Sequence, residues 1–481
     1  MGLKILIVSV EVAPHAKVGG LADVAASLPK ALRAQGHDAR LVMPGYGMVV
    51  DAPDFDAKLV ATPDVAVNPH FTALARILEG NNQGVPTYAI QGPGMFGDVQ
   101  RSEDLYGFGR EAYLFFAQAV IDMCEQLGWI PDIIHCNDWH TGLLPAMIRE
   151  KGGPKWESSG TVFTIHNLAY QGGFGRDTVA AAGLPESAFI PERLEFFGGV
   201  NFLKSACMYA DQVNTVSPTY AQEILTEEYG CGLWGVMQIL ERGGRLRGIL
   251  NGIDTEEFNP ATDPTLDAHY SATDLSGKAT CKAALQEQLG LPVDPSIPMF
   301  GIVSRLSNQK GFDLIVRAAY GLLDQPIQFV VLGVGDPWAA GELKKLQAEW
   351  PDRVAFVNSF AAELANRIYA GCDFFLMPSA FEPCGLGQLI ALRHGTVPVV
   401  RKTGGLADTI FEGKNGFVFE NKCPRELLET VKRAISAYQA PGWHEFVAGT
   451  MREQHDWAGR AEEYVRMYHD ALAMRQKPVA V

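Results

Sequence analysis

Short apolar runs alternate with amphipathic helical patterns along the chain, and this alternation predicts an α/β protein. The β-branched runs predict strands buried on both faces, as in parallel sheets wound with helices. In the first half, strands are predicted at 4–12, 38–43, 132–137, 161–166 and 212–217, helices at 21–35 and 111–128, and a hairpin at 71–78 with 85–90.

The second half restarts the same alternation after a proline-rich stretch with one predicted helix near 280–290. Its predicted strands are 299–303, 328–332, 354–357, 374–377 and 397–400. The tail carries large apolar residues at helical spacing, which predicts a docking helix. We therefore predict domains at 1–254 and 255–455, with a helix at 456–481 that crosses back to the first.

The composition of the chain limits the partners, substrates and cellular compartment that we expect. With 481 residues, 47% of them apolar, the chain exceeds one ordinary core. Its 40 Lys plus Arg against 55 Asp plus Glu would repel nucleic acid, whereas neutral polymers remain possible substrates. The eight cysteines are scattered without a CxxC pair, which is typical of a reduced cytosolic protein. The opening apolar run is too short for a signal peptide. No apolar segment is long enough to span a membrane. We expect a cytoplasmic protein without membrane or nucleic-acid partners.

One phrase occurs twice, at residues 17–24 and 402–409, with two adjacent glycines in each copy. Glycines at a strand-to-helix turn let backbone N–H groups approach a ligand at the positive end of a helix. The pair of phrases predicts a site for an anionic ligand built between two domains.

Two loops of the second half carry charged side chains directly after predicted strands. Arg305 and Lys310 follow strand 299–303 and are spaced like a diphosphate clamp, although solvated surface cations are the alternative. Glu382 follows strand 374–377 and could accept hydrogen bonds from sugar hydroxyls, while the N–H groups of Leu386 and Gly387 face phosphate. Alternatively, Glu382 is a carboxylate favoured by a helix start.

In the first half, the segments 135–140 and 164–167 end successive predicted strands with histidine, asparagine and aspartate. A metal site is the weaker interpretation, since these residues do not share a helical face. Polar lining of a carbohydrate pocket is the better one. The aromatic-bearing loop 168–200 either lines a glucan groove or packs onto its own domain.

Together these phrases resemble the bacterial glycogen synthases and the related plant starch synthases. The resemblance covers nearly the whole chain, at residues 17–23, 44–46, 138–143, 166–172, 216–218, 251–254, 304–311, 382–385 and 402–408. It implies the GT-B fold, two doubly wound Rossmann-like domains facing across a deep cleft. The N-terminal domain would lie on the acceptor side, and the C-terminal domain would bind the nucleotide sugar.

The resemblance also implies the reaction: transfer of glucose from ADP-glucose to the non-reducing end of an α-1,4-glucan such as glycogen, with retention and release of ADP. No metal or other cofactor is expected. The implied catalytic residues are Arg305, Lys310, Glu382 and His166. The implied donor-binding residues are Lys17, Gly19, Gly20, Asp23, Asp138, Asn251, Phe360, Cys384, Gly385, Leu386 and Gly387.

The sequence departs from the family pattern at several donor positions. Gly387 replaces a usual Thr, Ala380 a common Arg, Ile390 a usual Tyr and Phe360 a more frequent Tyr. Donor preference is therefore the open part of the prediction. The alternatives are a GT-B transferase for UDP-glucose or another acceptor, such as a sucrose or trehalose-phosphate synthase, and an inactive glucan-binding relative. A nicotinamide dehydrogenase would need GxGxxG after the first strand, and that motif is absent.

Overall fold

The computed structural model describes residues 2–476. The chain divides into two compact units. The first contains Met1–Asn251 together with Trp457–Val481, and the second contains Gly252–Asp456. The sequence analysis predicts that the chain leaves the first domain after residue 254 and returns to it at residue 456.

The first unit is built on one large mixed sheet and two small ones. Its strands are β1 (Lys4–Val8), β2 (Asp38–Pro44), β3 (Lys58–Ala61), β4 (Asp64–Asn68), β5 (Phe71–Leu74), β6 (Arg76–Asn82), β7 (Val85–Gln91), β8 (Ile133–Asn137), β9 (Gly160–Ile165), β10 (Gly173–Phe174), β11 (Glu195–Phe196), β12 (Gly199–Asn201), β13 (Gln212–Thr215) and β14 (Leu246–Gly248). The large sheet has the order β14-β13-β9-β8-β1-β2-β7-β6-β3. Only β6 and β3 run antiparallel to their neighbours in it.

Helices flank this sheet because apolar side chains recur on one face of each. They are α1 (Gly20–Ala34), α2 (Gly47–Val50), α3 (Arg110–Gln126), α4 (Leu144–Lys151), α5 (Thr178–Ala181), α6 (Phe202–Tyr209), α7 (Pro218–Glu223) and α8 (Trp234–Arg242). Strand β1 lies at the centre, where Ile5, Leu6, Ile7 and Val8 are completely buried. A strand enclosed on both faces has to be apolar at every position, which explains the continuous run in the sequence.

The second unit is a fully parallel sheet covered by helices. Its strands are β15 (Met299–Val303), β16 (Gln328–Leu332), β17 (Val354–Val357), β18 (Phe374–Met377), β19 (Val397–Arg401) and β20 (Phe417–Phe419), in the order β17-β16-β15-β18-β19-β20. Its helices are α9 (Ser276–Gln288), α10 (Phe312–Leu323), α11 (Pro337–Glu349), α12 (Ala362–Gly371), α13 (Gly387–Arg393), α14 (Gly404–Thr409), α15 (Pro424–Tyr438) and α16 (Trp443–Met451).

The last described helix, α17 (Trp457–Gln476), packs in the first unit against α1, β9 and β13. Tyr464 and Tyr468 of α17 are completely buried. The Tyr468 hydroxyl lies 2.9 Å from Nδ1 of His135, a buried residue of β8. The tail thus forms a helix docked by its large side chains, as its spacing predicts.

Both units share one topology around their central strands. In the second unit the strands follow the order 3-2-1-4-5-6 when numbered along the chain. The parallel strands of the first unit repeat this order with β7, β2, β1, β8, β9 and β13. In such sheets the connections diverge on either side of the first strand, and ligands bind beyond the carboxyl ends of the strands at that point. The topology therefore singles out the loops after β1 and β8, and after β15 and β18.

Several predicted elements need correction. The first strand ends at Val8 rather than at residue 12, because the chain leaves the sheet while Val10 and Val12 stay buried in the core. The predicted strand 71–78 is two strands: β5 pairs with β4, and β6 pairs with β7. Strand β20 and the small sheet β10-β12-β11 were not predicted.

Candidate active site

In the second unit, the loops after β15 and β18 bring a lysine and a glutamate together. Lys310 ends a short 3-10 turn, Asn308–Lys310, and its Nζ lies 2.9 Å from Oε1 and 2.7 Å from Oε2 of Glu382. The Ser379 hydroxyl donates a third hydrogen bond to this carboxylate, at 2.9 Å. Glu382 is buried, so its charge is held in place by these donors.

Arg305 occupies the same loop as Lys310 but is used differently. Its side chain is exposed and makes no ion pair or hydrogen bond within residues 2–476. A guanidinium that the protein does not neutralise remains available for an anion at the carboxyl end of β15. The structure thus brings the predicted residues Lys310 and Glu382 into contact and places Arg305 on the same loop as Lys310.

Gly311 sets the geometry of the Lys310 loop. It adopts φ +77°, and a Cβ atom there would lie 2.1 Å from the carbonyl oxygen of Pro378. Only glycine permits both the left-handed backbone and this close approach of the two loops. The glycine that closes the predicted clamp is therefore what allows Lys310 to reach Glu382.

The second glycine phrase serves this same loop pair. Gly405 donates its N–H to the carbonyl of Glu382 at 3.0 Å, and a Cβ on Gly405 would lie 2.2 Å from the Cys384 carbonyl oxygen. A Cβ on Gly404 would lie 1.9 Å from the Glu382 carbonyl oxygen. The expectation that these glycines open the backbone to a ligand is wrong for Gly405, because its N–H and its open side support the loop that carries Glu382.

The loop after Glu382 leads into α13, as predicted. Cys384 is a buried thiol, and Gly385 adopts φ +76° just before the helix begins. Leu386 precedes α13 and Gly387 is its first residue. A Cβ at Gly387 would lie 2.9 Å from the Phe375 ring and 3.2 Å from the Tyr369 hydroxyl. The departure from threonine at this position therefore has a packing reason.

The remaining predicted donor residue of this unit lies apart in the fold. Phe360 is on the loop between β17 and α12 and is 75% exposed. No aromatic ring of the described residues packs against it. Its exposure leaves the ring face open for stacking.

In the first unit, the loop after β1 is organised by a glutamate. Glu11 is 3% exposed, and its Oε2 accepts the backbone N–H groups of Val18 at 2.7 Å and Gly19 at 2.8 Å. The Tyr106 hydroxyl donates to Oε1. In this structure the Gly19 N–H, which is predicted to approach the diphosphate, is donated to Glu11. Gly20 begins α1 and is exposed.

The lysine of the first glycine phrase forms a local ion pair. Nζ of Lys17 lies 2.6 Å from Oδ1 of Asp23, in the first turn of α1. Burial raises the pKa of Asp23, an effect that Lys17 opposes. Asp23 thus fixes the direction of the lysine side chain, and both predicted residues lie on the edge of the sheet that the topology singles out.

Asp138 and His166 meet at the carboxyl ends of β8 and β9. Oδ1 of Asp138 accepts the backbone N–H of His166 at 2.8 Å, and Asp138 itself adopts φ +55°. Nε2 of His166 lies 2.9 Å from Oδ1 of Asn137. Burial lowers the pKa of His166 to about 3, so the imidazole is neutral at physiological pH. Burial also raises the pKa of Asp138 to about 7, with a further contribution from Glu11.

Asn251 is the last residue of the first unit, and its buried Oδ1 has no hydrogen-bond partner within the described residues. An unpaired buried acceptor is costly, so it marks a position suited to a donor from outside the chain. The neighbouring histidines are structural in different ways: His135 is fully buried beside α17, and His140 stacks on Trp139 at 3.9 Å. Residues 2–476 contain no group of three His, Cys, Asp or Glu side chains that could hold a metal ion.

Sequence reasoning missed three contributors to the two edges: Glu11, Tyr106 and Ser379. Glu11 lay inside a predicted strand, so its role as an acceptor for the following loop had no separate signal. Ser379 is three residues before Glu382 and could have been recognised as a donor to it. Tyr106 reaches Glu11 across 95 residues of sequence, which no local pattern records.

Comparison with known proteins identifies the family of the chain. Residues 4–239 match the family model described as the starch synthase catalytic domain, and residues 297–437 match glycosyl transferases group 1. The chain is 45% identical to a glycogen synthase of Moorella thermoacetica, over 98% of both chains. It is 43% identical to a glycogen synthase of Syntrophotalea carbinolica, over 98% of this chain and 99% of that one.

Among solved structures, the chain is similar to the catalytic domain of starch synthase IV from Arabidopsis thaliana, bound to ADP and acarbose. The identity is 34% and the TM-score 0.92, over 98% of this chain and 100% of that one. Sucrose-phosphate synthase from Thermosynechococcus elongatus, at 20% identity and TM-score 0.60, shares the fold. The protein is thus a glycosyltransferase of the GT-B class. It belongs to the glycogen synthase family, and glycogen synthesis is its function. Within residues 2–476, no helix is both long and apolar enough to cross a membrane.

Proposed function

We propose that the chain transfers glucose from ADP-glucose to the non-reducing 4-hydroxyl of an α-1,4-glucan, with retention of configuration, and releases ADP. The observation that carries this proposal is that the exposed, unneutralised guanidinium of Arg305 shares the loop after β15 with Lys310, which contacts Glu382. A leaving diphosphate gains negative charge as the glycosidic bond breaks, and fixed cations stabilise that charge. The ADP bound by the Arabidopsis relative supports the choice of nucleotide.

Each named side chain has a proposed task. Arg305 and Lys310 hold the diphosphate, and Glu382 accepts hydrogen bonds from the glucose hydroxyls. The amides of Leu386 and Gly387 lie toward phosphate, and Phe360 stacks on the base. These cations supply the charge that a metal ion provides in other transferases, so the proposed reaction uses no cofactor.

Residues of the first unit have the complementary tasks in the proposal. Lys17, oriented by Asp23, binds phosphate, while Asp138, His166 and Asn251 bind the transferred glucose. A neutral His166 can donate or accept a hydrogen bond beside the anomeric carbon without adding charge there. The incoming hydroxyl attacks from the face that the phosphate leaves and passes its proton to that phosphate. Exclusion of water is required, since water would otherwise compete as the acceptor.

The proposal is tested by nucleotide release from ADP-glucose and from UDP-glucose, each with and without glycogen. We expect glycogen-dependent release of ADP and much slower release of UDP. Faster turnover of UDP-glucose would assign the departures at Ala380 and Ile390 to a different donor. Release from neither donor would favour the inactive relative. Proton NMR of the first product formed distinguishes retention from inversion.

Variants at the cations test the mechanism. Because an electrostatic donor to a transition-state oxyanion contributes roughly 100-fold or more, Arg305→Gln should lower kcat by about that factor while the affinity for glycogen changes little. Arg317→Gln removes an exposed arginine of α10 that pairs with Asp313, and it serves as the matched control. Lys310→Gln should have a similar effect on kcat, and denaturation of each variant separates activity from stability. Undiminished turnover of both Arg305→Gln and Lys310→Gln would contradict the proposed clamp.

A further inference from the structure

A shallow aromatic groove lies on the first unit, on the small sheet β10-β12-β11. Its volume is about 470 Å³, and its walls are formed by Phe174, Phe196 and Phe197 with small residues between them. The Phe196 and Phe197 rings meet edge to face at a centroid distance of 4.6 Å. Phe174 and Phe196 also pack against the core, whereas Phe197 does not, so the three rings form an apolar surface that the core uses only in part.

Phe197 is the unusual member of this groove. It is 91% exposed and adopts φ +50°, a conformation that is costly for a bulky residue. The turn is fixed in that shape because the Gly198 N–H donates to Oε1 of Glu195 at 2.8 Å. An exposed ring on a strained backbone does not stabilise the fold, and a glycine at this position would be at least as stable. The strain indicates that the Phe197 ring serves in binding rather than in stabilising the fold.

The base of the hairpin is rigid. Nζ of the buried Lys204 donates to the backbone carbonyls of Arg193 at 2.7 Å and Glu195 at 3.0 Å, and also to the Pro191 carbonyl. The ring of Phe197 is therefore presented on an ordered support. Preorganised aromatic side chains bind with a small loss of conformational entropy.

One segment of chain connects the groove to the predicted His166 edge. Residues 166–172 run from the end of β9 into β10, and Gly172 accepts a hydrogen bond from the Phe202 N–H at 2.9 Å. Asn201, at the end of the groove, donates from Nδ2 to Oε1 of Gln171 at 2.8 Å. The Phe174 ring lies 6.1 Å from the ring of Trp139, the residue after Asp138, as measured between centroids. A ligand that extends from the Asp138–His166 edge past Trp139 would therefore reach the groove within the same unit.

We infer that this groove, defined by Phe174, Phe196 and Phe197, binds glucose units of the α-1,4-glucan acceptor that lie away from the reacting end. The inference rests on the proposed glucan acceptor. The C–H face of a glucopyranose ring is apolar and flat, and it packs on an aromatic ring while the hydroxyls stay in water. A long, uncharged polymer suits a groove of aromatic rings that has no charged wall. Short acceptors would end before they reach it.

The test compares Phe197→Ala with the wild type, using glycogen and maltotriose as acceptors. Loss of one ring contact should raise the half-saturating concentration of glycogen roughly three- to tenfold. The kcat and KM with maltotriose and the KM for ADP-glucose should stay unchanged. Phe197→Trp should restore glycogen affinity, and Leu59→Ala, at an exposed apolar residue of β3, is the matched control.

Stability separates this role from a structural one. Phe197→Gly should unfold at the same temperature as the wild type or higher, because glycine relieves the positive φ, and should still bind glycogen more weakly. Unchanged glycogen affinity in both Phe197→Ala and Phe197→Gly would overturn the inference. So would weaker self-association in light scattering with unchanged glycogen affinity, which would assign the groove to a second copy of the chain.

Glycogen retention is also measured directly, by affinity electrophoresis without any donor. This separates the inference from the proposed donor chemistry. If the wild type turns over neither donor but Phe197→Ala is retarded less than the wild type by glycogen in the gel, the proposed reaction fails and the groove stands. If the wild type turns over the donor normally and glycogen retards both proteins equally, the proposed reaction stands and glucan binding at the groove is refuted.

Discussion

At the scale of single residues, two buried carboxylates organise the two sheet edges. Glu11 holds the loop after β1 and Glu382 holds the loop after β18 to Lys310. Both are buried, and both are satisfied by several donors. A carboxylate with two or three donors is a strong local constraint in a low-dielectric environment. The loops that carry the predicted phosphate ligands are thus fixed by these glutamates, while glycines such as Gly311 permit the close approach of the loops.

Replacement of Glu11 tests whether this carboxylate fixes the loop after β1. Glu11→Ala leaves the Val18 and Gly19 amides without their acceptor, so we expect a loss of about 2 kcal/mol in the free energy of unfolding. The KM for the donor should also rise, since Lys17 lies in the same loop. Urea denaturation and initial rates measure the two effects. Tyr106→Phe removes only one donor at a half-exposed site and should cost less than half as much. Equal stability of Glu11→Ala and the wild type would refute this role for Glu11.

The raised pKa of Asp138 gives a prediction about pH. Its pKa is about 7 in the folded chain, against 3.8 ordinarily. Between about pH 4 and pH 7 the unfolded carboxyl ionises while the folded one keeps its proton, so stability falls as pH rises, by at most about 1.4 kcal/mol per pH unit. Above pH 7 the effect is constant.

The comparison variant is Asp138→Asn, which lacks a titrating group but keeps an oxygen for the His166 N–H. Its stability relative to the wild type should increase from pH 4 to pH 7 and then level off, as measured by thermal melting across that range. A difference in melting temperature that does not vary with pH would show that Asp138 is ionised in the fold at pH 4.

At the scale of elements, buried strands were predicted well and mixed ones poorly. Strands β15, β16, β17 and β18 have the predicted bounds, because parallel strands covered on both faces are uninterrupted apolar runs. The hairpin prediction failed at Ala75, where the predicted strand divides in two. The part before Ala75, β5, pairs with β4, and the part after it, β6, pairs with β7. Strand pairing of that kind depends on contacts distant in sequence.

The candidate site shows the same division. Residues that directly follow a strand, such as Arg305 and His166, were recognised because chain position alone places them at a sheet edge. The acceptor of each glycine amide was not recognisable from the sequence. Gly19 donates to a side chain eight residues earlier in its own loop, and Gly405 donates to a carbonyl of a different loop. Periodicity identifies which edge a loop belongs to, and only packing decides which groups of that loop remain open.

Helix α17 offers a test of how an element is held. Tyr468→Ala should cost about 3–5 kcal/mol because a fully buried aromatic ring is lost. Tyr468→Phe should cost about 1–3 kcal/mol, since Nδ1 of the buried His135 loses its partner. Arg466→Ala, at an exposed position of the same helix, should change stability by less than about 0.5 kcal/mol. Denaturant midpoints give the order, and similar midpoints for all three would contradict docking through the tyrosines.

At the scale of the whole molecule, the strand order 3-2-1-4-5-6 occurs once in each unit and places every candidate residue near one end of its own sheet. The acidic surface, with a formal charge of −15, is compatible with a neutral glucan. In the proposed reaction, recognition of the anionic donor therefore depends on a few cations at fixed positions, Lys17 in the first unit and Arg305 and Lys310 in the second.

The path of the chain has a practical consequence for protein engineering. The second unit, Gly252–Asp456, is inserted between two parts of the first, which ends with α17. A chimaera that takes its second unit from a relative therefore needs two splice points, one after Asn251 and one before Trp457. A single fusion after Asn251 would import a foreign terminal helix onto this sheet, where the buried His135 of β8 and Asn214 of β13 are matched to Tyr468 and Tyr464 of this chain.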